Sequence, residues 1–199
     1  MRGRAVFLTI VASRADTHVR VVPSATVGAA DNVPMVLPGT EYVVTLGEFD
    51  VLNLEGADLF PYGPADFTGT RIEADGPLAL FSGVQCTLIP DDSSGACDHL
   101  EEQIFPRSSL GHDYAVTRLR VAGVIDDLVR VLGLMDGTTV TTSLPAPDGA
   151  FTLARGEARF VTSSQDFTLT ASEAVMVGHF MLSSDSGART GDPSFVLDP

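Results

Sequence analysis

The sequence predicts an all-β protein: an antiparallel, β-sandwich-like fold of two similar β units, with a propeller-like arrangement as the alternative. Three observations carry this. Apolar runs of strand length recur along all 199 residues and are separated by turn-forming residues, among them 19 Gly and 12 Pro. Only 19% of residues are charged, below the usual quarter, so the surface leans on Thr, Ser, Gly, Asn and Asp, which suit exposed strands and turns. The 44% apolar content supplies a packed core, which excludes a disordered polymer.

Taken in order, the first strand-like run is Ala5–Ser13. The basic stretch Met1–Arg4 before it also fits a short signal peptide, with Ala12, Ser13 and Ala15 near a cleavage point. A buried strand is the preferred reading, because a similar segment recurs later. It implies a chain that begins part-way into a longer secreted protein. Thr17–Val22 follows, where Val19 and Val21 share one face and His18 and Arg20 the other. Then come Glu41–Leu46, Phe49–Leu54, Phe67–Ala74 and Pro77–Gln85. Cys97–Ile104, with its Asp, His and two Glu, is the one helix-compatible stretch and has room for a turn or two. After it come Asp113–Ala122, Leu128–Leu134, Gly137–Ser143, Ala150–Ala154, Glu157–Thr162, Phe167–Ala171 and Ala174–Leu182. Asp136-Gly137 and Arg155-Gly156 mark the clearest tight turns.

An internal repeat organises these runs. Ile10–Val21 and Val131–Thr142 both read as strand, polar turn, then Thr-x-Val-x-Val or Thr-x-Val-x-Thr. Downstream, Asp66-Phe67-Thr68 resembles Asp166-Phe167-Thr168, and with a short gap Ile72 aligns with Leu169 and Ala74 with Ala171. The expected division is a first β unit over 1–90, a central acidic loop over 91–112 and a second β unit over 113–199. Generic likeness between β segments is the competing explanation.

The net charge is −14, and every cation other than histidine is Arg. Such a chain repels phosphate backbones and anionic membrane surfaces, so nucleic acid is excluded as a partner. No apolar run approaches the roughly 20 residues needed to span a bilayer, so no membrane insertion is expected.

Cys86 and Cys97 are the only cysteines and bracket the polar segment Thr87–Ala96. They read as a disulfide hairpin, against two free buried thiols or half of a zinc site. The densest polar cluster is Asp91, Asp92, Asp98, His99, Glu101 and Glu102, followed by His112 and Asp113. This is the candidate binding or metal loop. Its oxygen-rich set suits Ca²⁺, and the histidines would suit Zn²⁺. The spacing lacks the alternation of calcium loops, so a solvated acidic loop with Asp98 or Asp91 capping a helical turn competes, and no cofactor is expected. His179 sits in an apolar strand and reads as a packed, hydrogen-bonded histidine. Ser82 and Ser194 lack the Gly-x-Ser-x-Gly elbow, neither cysteine has an adjacent base, and no phosphate loop appears. The chain is therefore read as no enzyme, although 26 acidic residues leave a glycosidase-type pair as a distant alternative.

Several stretches together resemble the N-terminal domain family named for the IgG Fc-binding protein of mucus, in a form more bacterial than mucin-like. They are TGTRIEADGPLALFSG at Thr68–Gly83, CDHLEEQIFP at Cys97–Pro106, DGTTVT at Asp136–Thr141 and GDPSFVLDP at Gly191–Pro199. The resemblance implies an extracellular or cell-surface location, a Cys86–Cys97 bridge, an adhesion or binding role and no catalytic residues. The expected partners are a protein or glycan and neighbouring domains of the same chain. A structural spacer and, further off, a hydrolase on a β scaffold are the competing functions.

Overall fold

The computed structural model describes residues 2–57, 65–89, 97–119, 126–182 and 194–198. It is almost wholly antiparallel β. The strands are β1 (Arg2–Ala12), β2 (Thr17–Val22), β3 (Tyr42–Leu46), β4 (Val51–Glu55), β5 (Arg71–Ala74), β6 (Leu78–Leu88), β7 (Asp98–Gln103) and β8 (Asp113–Val116). They continue with β9 (Asp127–Gly133), β10 (Thr138–Thr142), β11 (Ala150–Leu153), β12 (Ala158–Ser163), β13 (Phe167–Ala171), β14 (Val175–Met181) and β15 (Ser194–Asp198). One 3₁₀ turn at Arg107–Ser109 is the sole helical element among the described residues. The chain divides into two compact units: Arg2–Thr87 with His99–Ile104, and Phe105–Pro199 with Leu88–Asp98.

In the first unit one sheet runs β4-β1-β6-β7 and the other β3-β2-β5. Strict alternation builds the core between them. Leu8, Ile10 and Ala12 of β1 and Leu52 and Leu54 of β4 pack with Val19 and Val21 of β2 and Leu46 of β3. Val27, Val33 and Val36 come in from the β2–β3 connection, where Val27 bridges both Val36 and Gly56. In the second unit the sheets run β12-β9-β14-β15 and β11-β10-β13-β8. Their core joins Val129, Val131, Val161, Val175 and Val177 to Val140, Leu153, Leu169 and Tyr114. Each unit is thus two sheets around one apolar core, the predicted sandwich arrangement.

The two units share one strand order. Raising each strand number by eight carries β4-β1-β6-β7 onto β12-β9-β14-β15 and β3-β2-β5 onto β11-β10-β13, with β8 added at one edge. The registers agree: Val19 opposes Ala74 and Val21 opposes Ile72, while Val140 opposes Ala171 and Thr142 opposes Leu169. The turn from β1 to β2 is closed by the Thr17 hydroxyl donating to the Arg14 carbonyl at 2.7 Å. The turn from β9 to β10 is closed by Thr138 donating to Met135, also at 2.7 Å. Both threonines are fully buried.

Two segments differ from the sequence-based expectation. The helix-compatible stretch is strand β7, because pairing with β6 satisfies its backbone and only Leu100 turns inward. Strand pairing in the Phe67–Ala74 run begins only at Arg71, with Phe67 buried ahead of it.

Candidate functional site

Of the expected acidic loop, Asp91 and Asp92 lie outside the described residues. The other four members stand on β7, whose alternation sends His99 and Glu101 outward and turns Asp98 and Glu102 to the side of buried Leu100. His99 Nε2 lies 3.4 Å from Glu101 Oε2, an exposed pair of the kind that contributes at most about 1 kcal/mol. The His99 ring stacks on Phe7 at 5.8 Å between centroids. Gly83 of β6 makes room for that Phe7 ring, which a Cβ at this position would strike. No three metal-ligating side chains converge among the described residues. His112 is exposed and its Nδ1 faces the Ala171 carbonyl at 3.4 Å, while Asp113 accepts from the Thr170 hydroxyl at 2.7 Å.

Cys86 and Cys97 form a disulfide. It joins Cys86 on β6 to Cys97, the residue before β7, and these two strands are neighbours in one sheet. Closing so short a loop contributes on the order of 2–3 kcal/mol.

The second unit holds a buried polar cluster that sequence reasoning found only in part. His179, 3% exposed, lies on the core face of β14 in register with Val129 and Val196. Its Nε2 is 3.3 Å from Asp127 Oδ2, within ion-pair reach but without hydrogen-bond geometry. That same oxygen accepts from the Leu119 N–H at 2.8 Å and lies 3.9 Å from Arg118 Nε. On β15, burial raises the Asp198 carboxyl above the ordinary carboxylate value, and the nearby His179 partly offsets this. Tyr114 donates to the Val175 carbonyl at 2.7 Å and accepts from the Gly111 N–H at 2.9 Å. Burial is also the main cause of its raised phenol pKa, while the Gly111 N–H lowers it. Val116, Phe167, Ser163 and Gln165 close around the Asp127–His179 pair without room for a water molecule. The cluster is a packed polar network within the second unit's core.

One end of the first unit presents a different surface. The β1–β2, β3–β4 and β5–β6 turns meet there, since Phe49 N–H donates to Ala12 O at 2.8 Å and Ser13 N–H to Pro77 O at 3.2 Å. Asp75 accepts the His18 backbone N–H at 2.9 Å and faces the His18 ring at 2.8 Å. These bonds, the backbone one foremost, hold its carboxyl below the usual range. Phe49 at the tip is 71% exposed and Val51 beside it 62%.

The fold defines an antiparallel β-sandwich protein with a disulfide and with apolar side chains displayed on its turns. The family model described as IgGFc binding protein matches residues 1–199, and the chain belongs to that family. No curated protein and no solved structure matches it. No helix among the described residues is long and apolar enough to cross a membrane.

Proposed function

We propose that the chain is an extracellular binding and adhesion module that engages a protein ligand through its loops. The observation that carries this reading is the match to a family of binding domains over the whole chain. The disulfide supports an oxidising compartment. The charge of −14 supports a neutral or basic partner whose association rate falls with salt. In this reading the carboxylates of β7 guard an edge strand against pairing with other chains, a common use of charge at sheet edges. The two sandwiches act as repeated copies of one unit, each offering its turns.

The test is binding of the purified, oxidised chain to immobilised IgG Fc fragment and to a protein and glycan array at low and physiological salt. The expected result is saturable binding to protein ligands that weakens as salt rises. Silence on every protein, with turnover of a generic ester or glycoside that survives repurification, overturns the reading.

A further inference from the structure

The β3–β4 and β11–β12 turns are built from the same hydrogen bonds. Asp50 Oδ2 accepts from Gly47 N–H at 2.7 Å, and Glu157 Oε2 accepts from Ala154 N–H at 2.8 Å. Asp50 N–H donates to Gly47 O at 3.2 Å and Glu157 N–H to Ala154 O at 3.1 Å. The third turn residue donates back to the end of the neighbouring strand in both, Phe49 to Ala12 O and Gly156 to Gly133 O, each at 2.8 Å. That third residue is left-handed in both turns, with φ of 78° at Gly156 and 63° at Phe49.

Glycine adopts this conformation freely, whereas in an L residue the Cβ crowds the neighbouring carbonyl oxygen and disfavours it. The first unit makes the same exchange once more, with Asp16 at φ 54° where the second has Gly137 at 73°. Aspartate is among the few types that tolerate the left-handed region; a bulky aromatic there is an outlier. Burial does not compensate Phe49, which is 71% exposed and makes no ring contact among the described residues. The second unit's exposed aromatic contrasts with it: Phe160 lies under the Arg130 guanidinium at 4.5 Å and edge-on to Phe180 at 6.5 Å. Strain held without local return is a mark of functional positions.

We infer that this end of the first unit is a docking site for a cationic protein surface, with Phe49 as the inserted anchor. Val51, opposed by Val11 on the outward face of β1 and β4, extends the apolar contact. Glu48 and Asp16 stand exposed at its rim with no ion-pair partner among the described residues. A second copy of the chain would bring the same rim and the same net charge of −14, and so is repelled. A glycan finds no hydrogen bond from the valines. A basic surface with an apolar pocket satisfies both the ring and the rim, as hot spots ringed by charge do. The inference deepens the binding-module reading by placing its site, and its test makes no use of Fc.

The test uses immobilised synthetic peptides with a central Leu or Trp flanked by Arg and Lys, their Glu-flanked counterparts, a glycan set and the chain itself. Wild type, Phe49→Gly and Glu48→Arg are compared, each with a melting curve. The expected result is salt-sensitive binding of wild type to the cationic peptides, about tenfold or more weaker in Phe49→Gly. Glu48→Arg weakens it too, and both variants melt at or above the wild-type temperature. Equal binding by Phe49→Gly overturns the inference, as does no binding to the cationic peptides. Phe49-dependent binding to the anionic peptides, the glycans or the chain itself also overturns it. A Phe49→Gly melting point several degrees below wild type makes the ring a structural element and overturns it as well.

Discussion

The two sandwiches have one strand order but two kinds of core. In the first unit the interior between the sheets is aliphatic and aromatic, and the fully buried polar groups are threonines such as Thr17, tied to nearby backbone. In the second, the same sheet carries His179 and Asp127 inward, with the partly buried Asp198 beside them. By the strand correspondence, Asp127 stands where the first unit has Val6. The difference teaches that strand order here is set by alternation and turn chemistry, which the units share, and not by what fills each interior. An apolar core forgives small changes of volume. A buried polar cluster does not forgive the loss of one member, because the others are left desolvated without a partner.

That contrast is broken most forcefully at Asp127. Asp127→Ala removes the acceptor of the Leu119 N–H and leaves His179 facing an empty position. A loss of about 3–4 kcal/mol is expected in the second unit. Hydrogen-exchange mass spectrometry should show it in peptides from β9 and β14, with β1 and β2 unchanged. Val6→Ala, the matching position, should cost about 1 kcal/mol or less, since Val6 is only partly buried. Equal losses from the two substitutions would erase the distinction between the cores.

The second comparison is between hairpins. Cys86 on β6 is bridged to Cys97, the residue before β7, whereas β14 and β15 hold the same places in their sheet and carry no cysteine. Reduction, or the Cys86→Ser and Cys97→Ser double variant, should cost about 2–3 kcal/mol. The loss should appear as faster exchange in β6 and β7 and leave β14 and β15 as they were. Unchanged exchange in β7 would mean that Leu100 and the Phe7–His99 stack alone hold that strand.

Much of this was legible in advance, and the exceptions have physical causes. Apolar runs of strand length announced β1–β6 and β8–β14, and the aligned pairs Ile72 with Leu169 and Ala74 with Ala171 fall at equal register positions. The edge strands β7 and β15 were missed. A strand bonded on one side needs few apolar residues, and β7 commits only Leu100 to the interior. The cysteine pair was readable from its spacing. Asp127 and Asp198 were not, because their burial follows from strands β9, β14 and β15 meeting, which no local pattern encodes. Phe49 reads as the first residue of a strand, since turn rules do not place phenylalanine in a left-handed position. It is the matching hydrogen bonds of the two turns that set Phe49 against the glycine of Arg155-Gly156.

The smallest expected effect, and the sharpest in sign, is the response to pH. Asp75 of the first unit has its carboxyl lowered by the His18 bonds. It favours the ionised form in the fold, so its contribution is present above the ordinary value of 3.8 and is lost as pH falls through its own lower value. Asp198 of the second unit is raised by burial. Folding there favours the neutral acid, so its contribution is present below 3.8 and is lost as pH rises through the raised value. Isosteric amides separate the two. Asp198→Asn should melt a few degrees above wild type at neutral pH, because a half-buried charge is gone, and the gain should shrink toward pH 4. Asp75→Asn should melt slightly below wild type at neutral pH, and that deficit should persist at pH 4 and close only in stronger acid. Melting curves of both variants from pH 3 to pH 8 read the two signs directly. Parallel curves would show that the carboxyl on β15 is as well solvated as the one on the first unit's turn.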